Sequence, residues 1–561
     1  MATLTGKRAL MEMLVAEGVE YVFGNPGTTE SPFMDALQDY PQLKYVLGLQ
    51  ETPVVSMADG YARASGKVGF VNVHIAAGLA NSMSSLYNAH RGGTPLVITA
   101  GQSDTRLFQE EPAISADLAR MARPFAKWSA EVLHAADIPM VVRRAFKVAS
   151  DPPTGPVFLS LPWDVLDESA ELDEVELAPP PPAYRRTRPD PAAVRRAGEL
   201  LAGAASPLLL VGDRAAQSGA MAELVRVAEL LGAPVYSANR SEPVFPTDHP
   251  LFVGGVGSFG GSARGALSGA DVVLAVGANL FNPFVYTPRD AFAPTTKLIH
   301  LDSSAWEIGR VYPAEVGILA DPKAGLADLT AELEDRLSAD RRAASAVRIE
   351  VAAREKAARQ EAFEREARAR WDAMPIAPAR LALELRDALP PGAILVDEAI
   401  TTSGPIHEAI KFREPGAFYS IRGGAIGGGC GAALGVQLAR PGRPVVAVIG
   451  DGSALYSIQA LWTAAHYQLP VTYVICSNRS YRVVKINLVR YLGEAASRSQ
   501  FIGMDLRNPE VDFAKVAEGL GVRGWHVEQP DQLRPALEAA IRHDGPALVD
   551  VVLDGSYERH F

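Results

Sequence analysis

Short β-branched runs alternate with longer amphipathic stretches along the whole chain, and this alternation predicts parallel sheets covered by helices. In the last third, AILVDE (393–398), VVAVIG (445–450) and TYVICSN (472–478) are continuous apolar runs of strand length. The middle third has PLLLVGD (207–213), DVVLAVGANL (271–280) and KLIHLDSS (297–304), again ending in Gly, Asn, Asp or Ser. Such strand ends are where open α/β sheets bind ligands, although most are only turns. The first and last thirds close alike: a helical stretch, a Gly-Pro turn and an apolar strand, in DPPTGPVFLSL (151–161) and RHDGPALVDVV (542–552). Two related domains flanking a third are therefore expected.

Two stretches break the alternation. The run PPPPAYRRTRPDP (179–191) cannot hold a helix, because proline lacks the amide donor, and it reads as an extended connector. The run from about Asp340 to Trp371 is rich in Ala, Glu and Arg and reads as a helical linker, solvated or in part packed. The expected fold is α/β, with three doubly wound parallel-sheet domains at 1–180, 190–340 and 375–561 and a helical linker at 341–374.

Composition narrows the function. At 561 residues and 48% hydrophobic content, the chain is too long for one core and otherwise ordinary for a globular protein. Its net charge of −11 has the wrong sign for a non-specific grip on nucleic acid or on an anionic membrane, so neither partner is expected. No stretch approaches the roughly 20 apolar residues of a membrane-spanning helix. Cys430 and Cys476 lack CxxC spacing, and the opening MATLTGKRALMEML has no apolar run with a cleavage site. A reducing cytoplasmic location without structural disulfides is expected.

The most informative stretch is VVAVIGDGSALYSIQALWTAAHYQLPVTYVICSNRSY (445–481), which reads as strand, tight turn, helix, strand, loop. Gly450 and Gly452 relieve crowding beside Asp451, whose carboxylate emerges at a strand's carboxyl end. A helix starting near Ser453 aims its free amides at the same place. Asn478, at the tip of the next strand, would bring a carbonyl oxygen there, with the Ser480 backbone carbonyl nearby. Oxygen-only ligands beside phosphate favour Mg2+ over zinc. GDG, 25 residues and Asn resembles the signature by which thiamine-diphosphate enzymes bind their cofactor's diphosphate and Mg2+. That likeness extends over nearly the whole chain, and it identifies the first and last blocks as pyrimidine-binding and diphosphate-binding domains around a central one. Thr401 and Tyr481 are further cofactor contacts that it implies.

In the first block, EYVFGNPGTTESPFMDAL (20–37), YVLGLQETPVVSMADGYARASG (45–66) and VGFVNVHIAAGLANSMSSLYNA (68–89) are similar to the benzoylformate decarboxylase type, within a superfamily that also holds acetolactate synthases and 2-hydroxyacyl-CoA lyases. Carried over by position, Glu51, at a strand's end, is the acid that shares a proton with the aminopyrimidine ring and so lets the cofactor lose its thiazolium C2 proton. Thr28 falls at a serine of that enzyme and His74 at a histidine, both facing the reacting carbonyl. Without the likeness, GTTE is a helix cap and a lone His in an apolar strand is a core residue. In GGAIGGGCGAALG (423–435), Ile426 would be the apolar wedge that bends the cofactor, while the Gly424 carbonyl would accept from its exocyclic amine.

Two departures matter. Phe284 falls where the decarboxylase has a second active-site histidine, and the segment 482–513 is several residues longer. Val483, Val484 and Asn487 would meet substrate there. Glu494 would close over the site as an acid or base, unless it is only a solvated helix residue. The resemblance implies attack by the cofactor's C2 carbanion on a carbonyl, followed by one of three outcomes: decarboxylation of a 2-oxo acid, cleavage of a 2-hydroxyacyl-CoA, or carboligation. An inactive cofactor-binding scaffold is the reading of another class. The family's architecture further implies a homodimer as the minimal unit and often a homotetramer. FAD is not expected.

Overall fold

A computed structural model of the chain describes residues 2–181, 185–238, 241–256, 265–281, 291–493 and 499–557. The apolar runs become the strands of three parallel sheets, each flanked by helices, as the sequence led one to expect of the fold class. In the first sheet the strands lie in the order Lys44–Leu47, Tyr21–Asn25, Gly69–Val73, Leu96–Gln102, Val157–Pro162 and Trp128–Glu131. The last sheet sets Ile394–Glu398, Val445–Gly450, Val471–Ser477, Ala547–Val552 and Arg523–Val527 side by side. Leaving aside Lys44–Leu47, the first sheet places its strands in the same rank order as these five. The likeness first visible in the two Gly-Pro turns is therefore a likeness of whole domains. No helix among the described residues is long and apolar enough to cross a membrane.

The first and last domains form one compact unit, and residues 184–369 with 410–419 form another. Within the first unit, helix Glu51–Ser65 packs along helix Gly429–Ala439. A Cβ at Gly435 would collide with the Met57 carbonyl and one at Gly60 with the Ala432 carbonyl, so glycine is what lets the two backbones touch. Helix Glu51–Ser65 is delimited by Gln50, whose side chain accepts from the Thr52 amide, and by Gly66 in the left-handed region. Both cysteines are free and buried, and burial pushes the Cys430 thiol up to about 12, so it stays protonated and inert.

The second unit orders its strands as Phe252–Gly255, Val235–Ser237, Pro207–Val211, Val272–Val276, Lys297–Asp302 and Val316–Leu319, the doubly wound 3-2-1-4-5-6 arrangement. Helix Ala339–Ala369 is more than a solvated linker: it is strapped to this domain by its own charged side chains. Arg348 donates to the Leu231 carbonyl and Ser345 to that of Leu230, at the end of helix Met221–Leu231, and Arg341 to Ala204. Lys356 donates to the carbonyls of Thr247, His249 and Phe252 at 2.6–3.0 Å. The last carbonyls of a helix lack partners and carry partial negative charge, so cations from a neighbouring helix satisfy them.

Candidate active site

Glu51 is the first residue of helix Glu51–Ser65 rather than the end of a strand, because Gln50 already caps the helix. Its side chain lies at the positive end of the helix dipole, where an anion is favoured. The residue is 4% exposed. Asn25 donates to its Oε1 at 3.0 Å and Asn81 to its Oε2 at 2.9 Å. Two neutral amides thus hold the carboxylate in one orientation, and Gly78 beside Oε1 keeps the approach narrow.

His74 follows strand Gly69–Val73 and caps helix Ile75–Gly92. The next residue, Ile75, has a φ of 36°, a strained value for a buried β-branched residue and a mark of functional positions. Nδ1 of His74 lies 2.8 Å from Oε2 of Glu30 and 3.1 Å from the Thr29 hydroxyl. Glu30 is wholly buried, and its other oxygen accepts from the Gly101 amide at 2.8 Å. A carboxylate on Nδ1 favours the neutral tautomer with the proton there, which leaves Nε2 the unprotonated nitrogen. The ring stands flat against Gly27, where any Cβ would occupy its place. Thr28, the threonine singled out by position, is exposed and its carbonyl accepts from Ser31; its neighbour Thr29 meets the imidazole.

The last domain builds a second cluster. Strand Val445–Gly450 leads straight into helix Asp451–Ser457, which begins two residues earlier than expected, with Gly450 as its cap and Gly452 and Ser453 buried in its first turn. Asp451 accepts from the Gly452 amide at 2.8 Å and the Arg479 amide at 2.5 Å. Burial nevertheless pushes its carboxyl up to about 6, against the opposing effect of four backbone N–H groups. Arg479 turns its guanidinium away, to Glu510 and Glu528. Asn478 is buried, and its Oδ1 accepts from the Ser480 amide and hydroxyl at 3.1 and 3.0 Å. This is an all-oxygen donor set with a buried acid in need of positive charge, which fits a hard divalent cation. The Tyr481 ring packs where a Cβ on Gly452 would fall 2.5 Å from it. Thr401 follows Ile400, whose φ is 53°.

The glycine-rich loop is held from both sides. Glu398, fully buried at the end of strand Ile394–Glu398, accepts from the amides of Gly427 at 2.5 Å and Gly429 at 2.6 Å. Burial raises it to about 7. From the first domain, Asn88 donates to the Ala425 carbonyl at 2.7 Å and accepts from its amide at 3.0 Å. Between these clamps Gly424 is exposed and Ile426 half-buried, so both remain available to a ligand.

Three family models match the chain: the N-terminal TPP-binding domain, central domain and C-terminal TPP-binding domain of thiamine pyrophosphate enzymes, at residues 4–121, 194–329 and 401–551. A benzoylformate decarboxylase of Pseudomonas aeruginosa is 34% identical over 547 residues, covering 97% of this chain and 98% of that protein. The chain belongs to the thiamine pyrophosphate enzyme family. A probable acetolactate synthase large subunit of Methanocaldococcus jannaschii is 31% identical to this thiamine pyrophosphate enzyme, covering 98% of the chain and 92% of the relative. The structure of a thiamine diphosphate-dependent 4-hydroxybenzoylformate decarboxylase of Rhodococcus jostii superposes with a TM-score of 0.86 at 30% identity, covering 99% of this chain and 100% of that one.

Phe284 and Glu494 lie outside the described residues of this thiamine pyrophosphate enzyme. Val483, Val484 and Asn487 are exposed on helix Arg482–Leu492. Residue-by-residue reading missed Glu30, Thr29, Asn25, Asn81, Asn88 and Glu398. Only Glu30 carried a signal, as the last residue of GTTE; the amides are unremarkable in sequence.

Proposed function

We propose that this enzyme releases CO2 from a 2-oxo acid, as a homodimer in which the first domain of one chain and the last domain of the other enclose thiamine diphosphate and Mg2+. The observation that carries the reading is the His74 imidazole held by a buried Glu30 in the domain that also positions Glu51. When bound, the cofactor supplies the electron sink for the bond that breaks. Asp451, Asn478 and the Ser480 carbonyl would hold Mg2+ and through it the diphosphate; Ile426 would wedge the cofactor, and Gly424 would accept its amine. Glu51, fixed by two amide donors, holds a proton at the pyrimidine ring. His74 exchanges a proton through Nε2 at the substrate oxygen or the departing product.

The test is turnover by the purified enzyme with cofactor and Mg2+ on pyruvate, benzoylformate and 4-hydroxybenzoylformate, following CO2 and aldehyde separately. Release of one aldehyde per CO2 is expected, with Glu51→Gln abolishing turnover while cofactor binding persists. Turnover unaffected by loss of the glutamate's carboxyl would overturn the assignment. The acetolactate synthase relatives support a second reading, carboligation, in which pyruvate gives CO2 and a ligated product in place of free aldehyde.

A further inference from the structure

The last domain carries a group of metal-type side chains that the proposed reaction does not use. Asp512 caps helix Phe513–Gly519, while His526 and Asp550 are paired by register on the adjacent strands Arg523–Val527 and Ala547–Val552. The three offer one ligand atom each, all within 4.8 Å of one another. Nδ1 of His526 stands 2.9 Å from Oδ2 of Asp550. Two atoms bound to one ion at about 2.1 Å sit roughly 3 Å apart when they subtend a right angle, so this spacing is also that of neighbouring ligands.

A second observation points the same way. Asp550 is 0% exposed; its Oδ2 also accepts from the Phe513 amide at 3.2 Å, but Oδ1 has no hydrogen-bond partner. A buried carboxylate oxygen without a donor is costly, and a cation relieves it. The side chains of His526 and Asp512 are 36% and 33% exposed, which gives an ion a route from solvent. The plain alternative is a His526–Asp550 ion pair flanked by Glu528, 3.3 Å from Nε2 and itself paired with Arg479. That pair leaves Oδ1 unfilled, and Asp512, whose charge raises Asp550, is answered by the exposed Lys515 at 2.9 Å.

We propose that Asp512, His526 and Asp550 bind a divalent transition ion of the zinc class, completed by water, which ties the edge strand to its neighbour and to the cap of the following helix. One imidazole with two carboxylates selects zinc-like ions over Mg2+.

The experiment uses the full-length protein, stripped with a chelator and then saturated with cofactor and excess Mg2+. Equilibrium dialysis against Zn2+, and Co2+ absorption as a reporter of nitrogen ligation, read the site without reference to turnover. Wild type is expected to bind one ion per chain that His526→Lys does not, because the lysine sets a cation opposite Asp550 but removes the imidazole. Asp512→Asn, a surface change compatible with folding, is expected to weaken binding by at least about tenfold. The extra ion should persist in Asp451→Asn, which separates it from the cofactor's cation. Equal stoichiometry and affinity in wild type and Asp512→Asn, or in wild type and a folded His526→Lys, would overturn the proposal and leave an ion pair only.

Discussion

Replacing Asp451 by Asn should stabilise the protein stripped of cofactor and metal while destroying its affinity for both. Burial moves this carboxyl from 3.8 to about 6. At 1.36 kcal/mol per pH unit, its ionised form therefore costs about 3 kcal/mol in the empty protein at pH 8. Because the folded value lies above the unfolded one, the folded state keeps a proton that the unfolded state releases between pH 4 and 6. Stability is greatest at the acid side of that window and falls as pH rises through it. Asn removes the charge but offers one acceptor oxygen to two amides, so either the Gly452 or the Arg479 N–H loses its acceptor, at a cost of about 1–3 kcal/mol. The net gain is about 1 kcal/mol at pH 8, and near pH 4, where the charge penalty is almost gone and the lost acceptor remains, it turns into a loss of about 1–2 kcal/mol. Urea unfolding of chelator-treated wild type and variant at matched concentration, at both ends of the window, measures the difference. Added cofactor and Mg2+ at a hundredfold excess over Kd should then stabilise wild type by about 2.7 kcal/mol and the variant hardly at all. A stability difference that does not change with pH, or a variant that still gains from Mg2+ and cofactor, would refute the reasoning.

Glu398 behaves in the same sense over a higher window, since burial moves it from 4.5 to about 7: Glu398→Gln should flatten the loss of stability between those pH values, read by the same titration. His74→Ala should lower kcat by about 10²–10⁴-fold, the usual range for a positioned acid-base group, and Glu30→Gln by less, with a shifted pH profile, because the imidazole keeps a hydrogen-bond partner but loses its counter-charge. Gly27→Ala forces the imidazole aside; melting should show a loss of about 1–3 kcal/mol, and activity should fall towards that of His74→Ala.

Local patterning was enough for the sheets and for the convergence of Asp451 and Asn478 at the ends of two neighbouring strands. Apolar runs such as VVAVIG and TYVICSN have the length and β-branched content of strands buried on both faces, and Asp451 and Asn478 directly follow two neighbouring parallel strands joined by two short helices, so local order brings them together. Glu51 and His74 were legible through their neighbours in the chain. What folding alone decided was which groups answer these residues. Asn25, Asn81 and Glu51 come from three segments that meet only when strands Tyr21–Asn25 and Gly69–Val73 pair, and the buried partner of His74 is Glu30, 44 residues away. Thr28 and Thr29 are alike in sequence, but the single-residue step between them in a 3-10 helix exposes the first and buries the second. Where the charges of helix Ala339–Ala369 go was decided by packing: Arg348 reaches the end of helix Met221–Leu231, and Lys356 the turn carbonyls of Thr247 and His249. A strand's periodicity is a local property, written in consecutive residues; the partner of a carboxylate, an imidazole or a guanidinium is set by tertiary packing, which no spacing along the chain encodes.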